Sequence, residues 1–342
     1  MTDVLICSYL EEEHRQRIEA VDPTVRVTFE PSLIAEPRYA CDHVGRRLER
    51  DTEQRRAWGE RMRNADVLFD FDYSDPTSLL RDGAKVLWVQ ATSAGIGQFV
   101  AHHELQRSQA QFTTAAGVHA RPLAEFALWG MLAFASEYPT ARRQQRAGRW
   151  QRFARGEVEG KTLAVVGLGS IGRTVARLAS AIGMRVIGSK RTIDGVDPAS
   201  LFVERLFPSN EVVPMIAQAD YVCLAVPHTK ETVGLLDHEA LQAMRSGSVL
   251  VNIGRGSLVD EEALVHALRE GPLAGAVLDV APVEPLPAEH PLWSMDNVIV
   301  FPHSASTSTR ENERLTDLFC DNLGRLMRGE ALRNHYVHER EY

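Results

Sequence analysis

No apolar stretch in the 342 residues reaches the roughly 18 that a membrane-spanning helix needs. Positive charge is in deficit: 38 Lys and Arg stand against 46 Asp and Glu, a formal charge of −8. The basic surface that displaces counterions from nucleic acid is therefore lacking, and neither a membrane nor a nucleic-acid partner is expected. Cysteine is scarce. The four residues, Cys7, Cys41, Cys223 and Cys320, include no CxxC pair for a metal or a redox couple, and free buried thiols are expected. The twelve histidines show no HExxH or HxH spacing, so no metal site is expected. The absence of a GxSxG elbow removes support for a serine hydrolase. The N-terminal MTDVLICSYLEEEH has no basic n-region and reads as a first strand, not a signal peptide. A cytoplasmic protein is expected.

What is present is ordinary globular sequence, 44% hydrophobic and 25% charged, long enough for two domains. Strand-like runs alternate with helix-like runs, the pattern of parallel sheets with crossover helices. Strands are expected at 3–9, 25–29, 67–71, 86–92 and 112–116, then in KTLAVVGLG from 161, RVIGSKR, YVCLAVP (221–227), SVLVNIG (248–254), LAGAVLDV (273–280) and NVIVFP (297–302). Helices are expected over 52–64 and near 170–182, 237–244, 260–270 and 308–328. The run LAEFALWGMLAFASEY after Pro122 is apolar nearly all round and predicts a helix buried between layers or subunits. Six arginines between Arg142 and Arg155 follow it and read as a solvated helix end or a subunit contact. Residues 31–51 show no period: an irregular connection, either beside a binding cleft or simply solvated.

GLGSIG at 167–172 follows an apolar strand and opens a helix, the context that gives GxGxxG its meaning. Gly167 serves the tight turn, Gly169 the close approach of a pyrophosphate, and Gly172 the packing of helix on strand. Ser170 and Ile171 lie in the first helical turn, whose free N–H groups attract phosphate. About 20 residues on, where a carboxylate usually holds the ribose 2′-hydroxyl of NAD, the chain reads GSKRT, with no carboxylate until Asp194. Lys190 and Arg191 suit a 2′-phosphate instead, so NADP(H) is favoured over NAD(H).

Three polar residues fall at strand ends, where open α/β sheets bind ligands. Arg255 sits between Gly254 and Gly256 after VLVNI; Glu284 lies beyond GAVLDV, just before Pro285; His303 follows NVIVFP. Together they make an acid–base site. The guanidinium suits a substrate carboxylate, and the carboxylate orients and charges the imidazole. The imidazole then gives a proton to a carbonyl oxygen as hydride arrives at carbon.

These pieces, with ADYVCLAVPHTKET, VLVNIGRGSLVDEEAL and LAGAVLDVAPVEPLP, resemble the D-isomer-specific 2-hydroxyacid dehydrogenase family, densely after residue 160. The resemblance implies an α/β fold of two Rossmann/flavodoxin-like domains with parallel sheets and a cleft between them. Residues 1–118 plus 306–342 would form the substrate domain, and 119–305 the dinucleotide-binding domain. It implies reduction of a small-molecule 2-keto acid to a D-2-hydroxy acid, with Arg255 on the carboxylate and carbonyl, His303 as proton donor and Glu284 as its partner. Asp279 would hold the nicotinamide carboxamide, and Val226, Ile253 and Gly254 would line the nicotinamide half. The segment QATSAGI (90–96) resembles the family's substrate loop, in which backbone N–H groups of Ser93, Ala94, Gly95 and Ile96 would bind the carboxylate. A homodimer through 122–155 is implied as well. Glu284 stands where the formate dehydrogenases of the superfamily carry glutamine, which disfavours that branch. The rival from another class is a dinucleotide-sensing interaction protein, corepressor-like, with little turnover.

Overall fold

Residues 1–338 are described in a computed structural model and fall into two units. One comprises Met1–His119 and the segment from Thr307; the other is Ala120–Ser306. The junctions lie one residue beyond those expected.

In the first unit, β1 (Thr2–Ile6), β2 (Val25–Thr28), β3 (Val67–Phe69), β4 (Trp88–Gln90) and β5 (Gln111–Thr113) pair in parallel in the order β2-β1-β3-β4-β5. This is the flavodoxin-like doubly wound order, whose switch point lies between β1 and β3. β3 and β4 are buried throughout, as parallel strands covered on both faces must be. The helix Glu311–Met327 belongs here: Phe319 stacks on Trp88 at 4.9 Å and meets Phe69 edge-on at 5.3 Å. The helix expected over 52–64 spans Thr52–Asn64, opened by a capping box between Asp51 and Gln54.

The connection 31–51 has one short 3-10 turn, Pro31–Leu33, and is anchored by its polar residues. Asp42 accepts from the backbone and guanidinium of Arg38 and from Gly45 N. Burial opposes its ionisation, but these bonds prevail and hold its pKa down to about 2. Arg50 is buried, 2.6 Å from Asp72, donating to the Leu33 carbonyl and lying 4.2 Å over the Trp58 ring. Neither feature is visible in hydrophobic periodicity, which is why the segment reads as patternless.

In the second unit, β6 (Thr162–Val166), β7 (Arg185–Lys190), β8 (Arg205–Pro208), β9 (Tyr221–Leu224), β10 (Ser248–Asn252), β11 (Leu273–Leu278) and β12 (Val298–Val300) form one parallel sheet, β12-β11-β10-β9-β6-β7-β8. This is Rossmann order with β12 added at the edge. β8 was not among the expected strands. RLFP has little apolar pattern, and its pairing with β7 decides its conformation. The helix Ala120–Ala135 packs on the sheet through Gly130, where a Cβ would come within 2.8 Å of the Val277 side chain. Its outer face leaves Trp129 and Leu132 exposed. The arginine-rich helix Tyr138–Arg146 buries no residue.

The four cysteines are free. Burial pushes the Cys223 thiol up to about 12, so it is inert packing. Among the described residues, no helix is long and apolar enough to cross a membrane, and no group of three His, Cys, Asp or Glu could hold a metal.

Candidate active site

The glycine loop leaves the end of β6 at the switch point between β6 and β9. Gly167 adopts φ +95°, and a Cβ there would lie 2.5 Å from the Val226 side chain and 2.9 Å from the Ala225 carbonyl. Gly172 is tighter still: a Cβ would fall 1.9 Å from the Gly167 oxygen. At Gly169 a Cβ would meet nothing within 4 Å. The two outer glycines are thus required by the protein's own packing, while the middle one borders open space. The helix Ser170–Ala181 starts there with no side-chain cap. The first-turn N–H groups at Ser170 and Ile171 and the helix dipole therefore face that space, a fit for a pyrophosphate.

The neighbouring strand ends continue the same surface. After β9, the Val226 carbonyl would lie 2.9 Å from a Cβ at Gly254, just past β10. Gly256 would drive a Cβ to 1.9 Å from the backbone of Ala281, past β11. Neither glycine has positive φ. They are needed for close approach of three loops, not for a sharp turn. Asn252 clamps the turn that presents Arg255: its Oδ1 accepts from Gly254 N and its Nδ2 donates to the Arg255 carbonyl. The guanidinium is exposed and donates to the Gly254 carbonyl at 2.8 Å.

Glu284 and His303 are in direct contact, Nδ1 to Oε2 at 2.7 Å, both partly exposed. An ionised carboxylate only accepts, so Nδ1–H donates and Nε2 is the free end of the ring. The other Glu284 oxygen accepts from Ala281 N at 3.1 Å. His303 adopts φ +52°, and the surrounding bonds hold it there. His303 N donates to the Asp279 carbonyl, and the Asp279 Oδ1 accepts from both Ser304 N and Ala305 N at 2.9 Å. Asp279 is 2% exposed, and burial raises its pKa against those two N–H groups and nearby His303.

A profile described as D-isomer specific 2-hydroxyacid dehydrogenase, NAD binding domain, matches residues 128–305, more than half of the chain. The chain belongs to this family. A glyoxylate reductase of Thermococcus onnurineus is 34% identical over 281 residues, 80% of this chain and 83% of its own. One from Korarchaeum cryptofilum is 37% identical over 229 residues, 64% of this chain and 66% of its own length, just under two thirds. Among solved structures, a D-isomer specific 2-hydroxyacid dehydrogenase of Xanthobacter autotrophicus Py2, in complex with NADPH and MES, superposes with TM-score 0.79 at 28% identity over 100% of this chain and 99% of that one.

The second unit gathers the glycine loop, Val226, Gly254, Arg255, Glu284 and His303 along adjoining strand ends. Ile253 is different: its side chain is buried in the core, leaving only its backbone at the strand end. Lys190 ends β7, and the exposed Arg191 lies 3.8 Å from Glu231. Two other loop histidines have partners of their own. His119 bonds Glu311 at 3.0 Å in the first unit, and His228 bonds Ser257 at 2.7 Å. The loop Ser93–Ile96 belongs to the first unit, with Ala94 and Gly95 exposed and Ile96 buried. Its Gly95 N–H turns to Ser93 Oγ at 3.3 Å. Sequence reasoning missed Asn252, although it stands in the same VLVNI stretch, three residues before Arg255. It also missed the buried polar residues of the first unit, which no spacing announces.

Proposed function

We propose that this chain reduces a 2-keto acid to the D-2-hydroxy acid with a nicotinamide dinucleotide. The observation that carries the reading is the 2.7 Å bond from His303 to Glu284, beside the loop of Arg255. A nicotinamide dinucleotide held at Gly169, Ser170 and Ile171 would supply the hydride for the carbonyl carbon. Arg255 holds the substrate carboxylate and polarises its carbonyl. His303 delivers the proton from Nε2 to the carbonyl oxygen, while Glu284 accepts from Nδ1–H and fixes the orientation of the ring. The loop of Ser93, Ala94, Gly95 and Ile96 offers backbone N–H groups to a carboxylate, Gly95 N–H joining them on leaving Ser93 Oγ.

NADP(H) is the cofactor we favour. Lys190 and Arg191 stand where a ribose-binding carboxylate would, and the Xanthobacter relative is a complex with NADPH. The Arg191–Glu231 pair is exposed at 3.8 Å. Such pairs contribute at most about 1 kcal/mol, so a 2′-phosphate can displace Glu231. We also propose a homodimer that covers Trp129, Leu132, Tyr138, Trp150 and Phe153, apolar side chains exposed on one continuous stretch of chain.

The test is loss of 340 nm absorbance with NADPH and NADH in parallel, across glyoxylate, hydroxypyruvate, pyruvate and bulkier 2-keto acids. Faster turnover with NADPH, lost on substituting Lys190→Ala and Arg191→Ala together, supports both halves. A preference for NADH removes the assignment of the two cations but keeps the enzyme. Cofactor binding without any turnover rejects the reductase in favour of a sensing protein.

A further inference from the structure

We infer that Asp70 is a positioning residue for the carboxylate-binding loop Ser93–Ile96; the inference rests on the proposed role of that loop. β3 and β4 run parallel, with Phe69 opposite Gln90, and Asp70 N donates to the Gln90 carbonyl at 2.8 Å. In a parallel ladder the next bond would run from Thr92 N to the Asp70 carbonyl. Asp70 instead turns into the left-handed region, φ +69°, an uncommon conformation for a residue with a side chain. Its carboxylate takes the ladder's place: Oδ1 accepts from Thr92 N at 3.3 Å, and Oδ2 from Thr92 Oγ1 at 2.8 Å. Tyr73 Oη donates to Oδ1 as well, at 3.3 Å.

The loop starts at the next residue. On its β5 side it is tied by a backbone bond, Ala115 N to the Ser93 carbonyl at 3.0 Å. On its β3 side the Asp70 carboxylate makes the tie. A carboxyl group that is 0% exposed, among neutral donors, is an expensive way to close a sheet. Its effect is to set Thr92, and with it the direction of the N–H groups that follow. Burial raises the Asp70 pKa, with His43 and the Thr92 bonds acting against that rise.

Asp70→Gly keeps the left-handed backbone and removes the carboxylate. Asp70→Asn keeps an acceptor for Thr92 N and, because asparagine tolerates left-handed φ, the turn. We expect Asp70→Gly to raise KM for the 2-keto acid about tenfold or more, with a smaller change in kcat and no change in NADPH Kd measured by fluorescence. Asp70→Asn should restore KM to within about threefold of the parent. A merely structural role would lower soluble protein and weaken cofactor binding together, without rescue by Asn, and that pattern overturns the inference. If the glycine variant does not fold, Thr92→Val carries the test. It removes the Oγ1 bond while leaving Thr92 N on the Asp70 carboxylate, and should raise KM about threefold; an unchanged KM overturns the proposal. Ala94→Pro, which deletes an N–H of the loop itself, separates the two levels. A raised KM in Ala94→Pro with none in Asp70→Gly rejects Asp70 and keeps the loop. An unchanged KM in Ala94→Pro rejects the loop reading and the inference with it.

Discussion

The two units use one device in two ways. Each places a buried aspartate at the end of a parallel strand and spends its carboxylate on the backbone of a neighbouring loop. In the second unit, Asp279 follows the last ladder pair of β11, accepts His303 N with its carbonyl, and adds its carboxylate to the next two N–H groups. In the first unit, Asp70 leaves the ladder and its carboxylate replaces the backbone. The loops they hold differ in kind. The second unit presents ionisable side chains, Arg255, Glu284 and His303, outward. The first keeps its strongest charges paired inside, Arg50 on Asp72, and presents backbone. A hydride-and-proton step needs side chains that exchange protons, and a carboxylate held by N–H groups needs only a fixed main chain.

The largest expected effect is a direct test of that division of labour. His303→Ala in the second unit should lower kcat by about two to four orders of magnitude, with cofactor affinity preserved. Glu284→Gln should retain part of the activity, because the amide oxygen still accepts from Nδ1–H, but as a neutral and weaker acceptor than the carboxylate. Steady-state kinetics on both variants checks this, and full activity in His303→Ala would remove the proton-donor role.

A second experiment separates packing from ligand binding within one hexapeptide. Gly172→Ala would place a carbon 1.9 Å from the Gly167 oxygen, a clash that only a backbone shift relieves, so the thermal midpoint should fall by several degrees. Gly169→Ala meets nothing within 4 Å; the fold should be unaffected and NADPH affinity should drop at least tenfold. Equal loss of stability in both would mean that the middle glycine is also a packing residue.

The same contrast explains what the sequence could reveal. In the second unit, each group of the proposed site lies in a contiguous stretch whose spacing has a mechanical meaning: GLGSIG at a strand-to-helix turn, NIGRG at a strand end, and VEP before His303. These were legible, as were the helix Thr52–Asn64 and every strand of the seven except β8, whose four residues take their shape from β7. In the first unit, Ser8, His43, Arg50, Asp70, Asp72 and Thr92 come from separated segments and meet only through the sheet. Ser8 Oγ bonds His43 Nδ1 at 2.9 Å, a pairing no local pattern encodes. What Gly254 and Gly256 do is hidden from the sequence for a related reason. Sequence shows that a residue lacks a side chain, but only the neighbouring loop shows why one would not fit.

The smallest expected effect concerns stability and compares the two aspartates directly. Burial raises the pKa of both Asp70 and Asp279. A carboxyl whose folded pKa lies above its unfolded value of about 3.9 binds more protons folded than unfolded within that window. Stability therefore falls as pH rises from about 4 through the raised value, and stays lowered above it. Replacing Asp70 by Asn removes that contribution while keeping an acceptor for Thr92. Asp70→Asn should match the parent in thermal midpoint near pH 3.5 and exceed it by a few degrees at pH 7. Asp279→Asn should gain less at pH 7, because two backbone N–H groups meet the Asp279 charge at 2.9 Å, whereas the backbone N–H of Thr92 stands 3.3 Å from Asp70. Thermal melts of the three proteins from pH 3.5 to 7 measure the difference. Were Asp70→Asn the less stable protein throughout, the ionised carboxylate would be a net stabiliser of the first unit, and the two aspartates would be doing the same work.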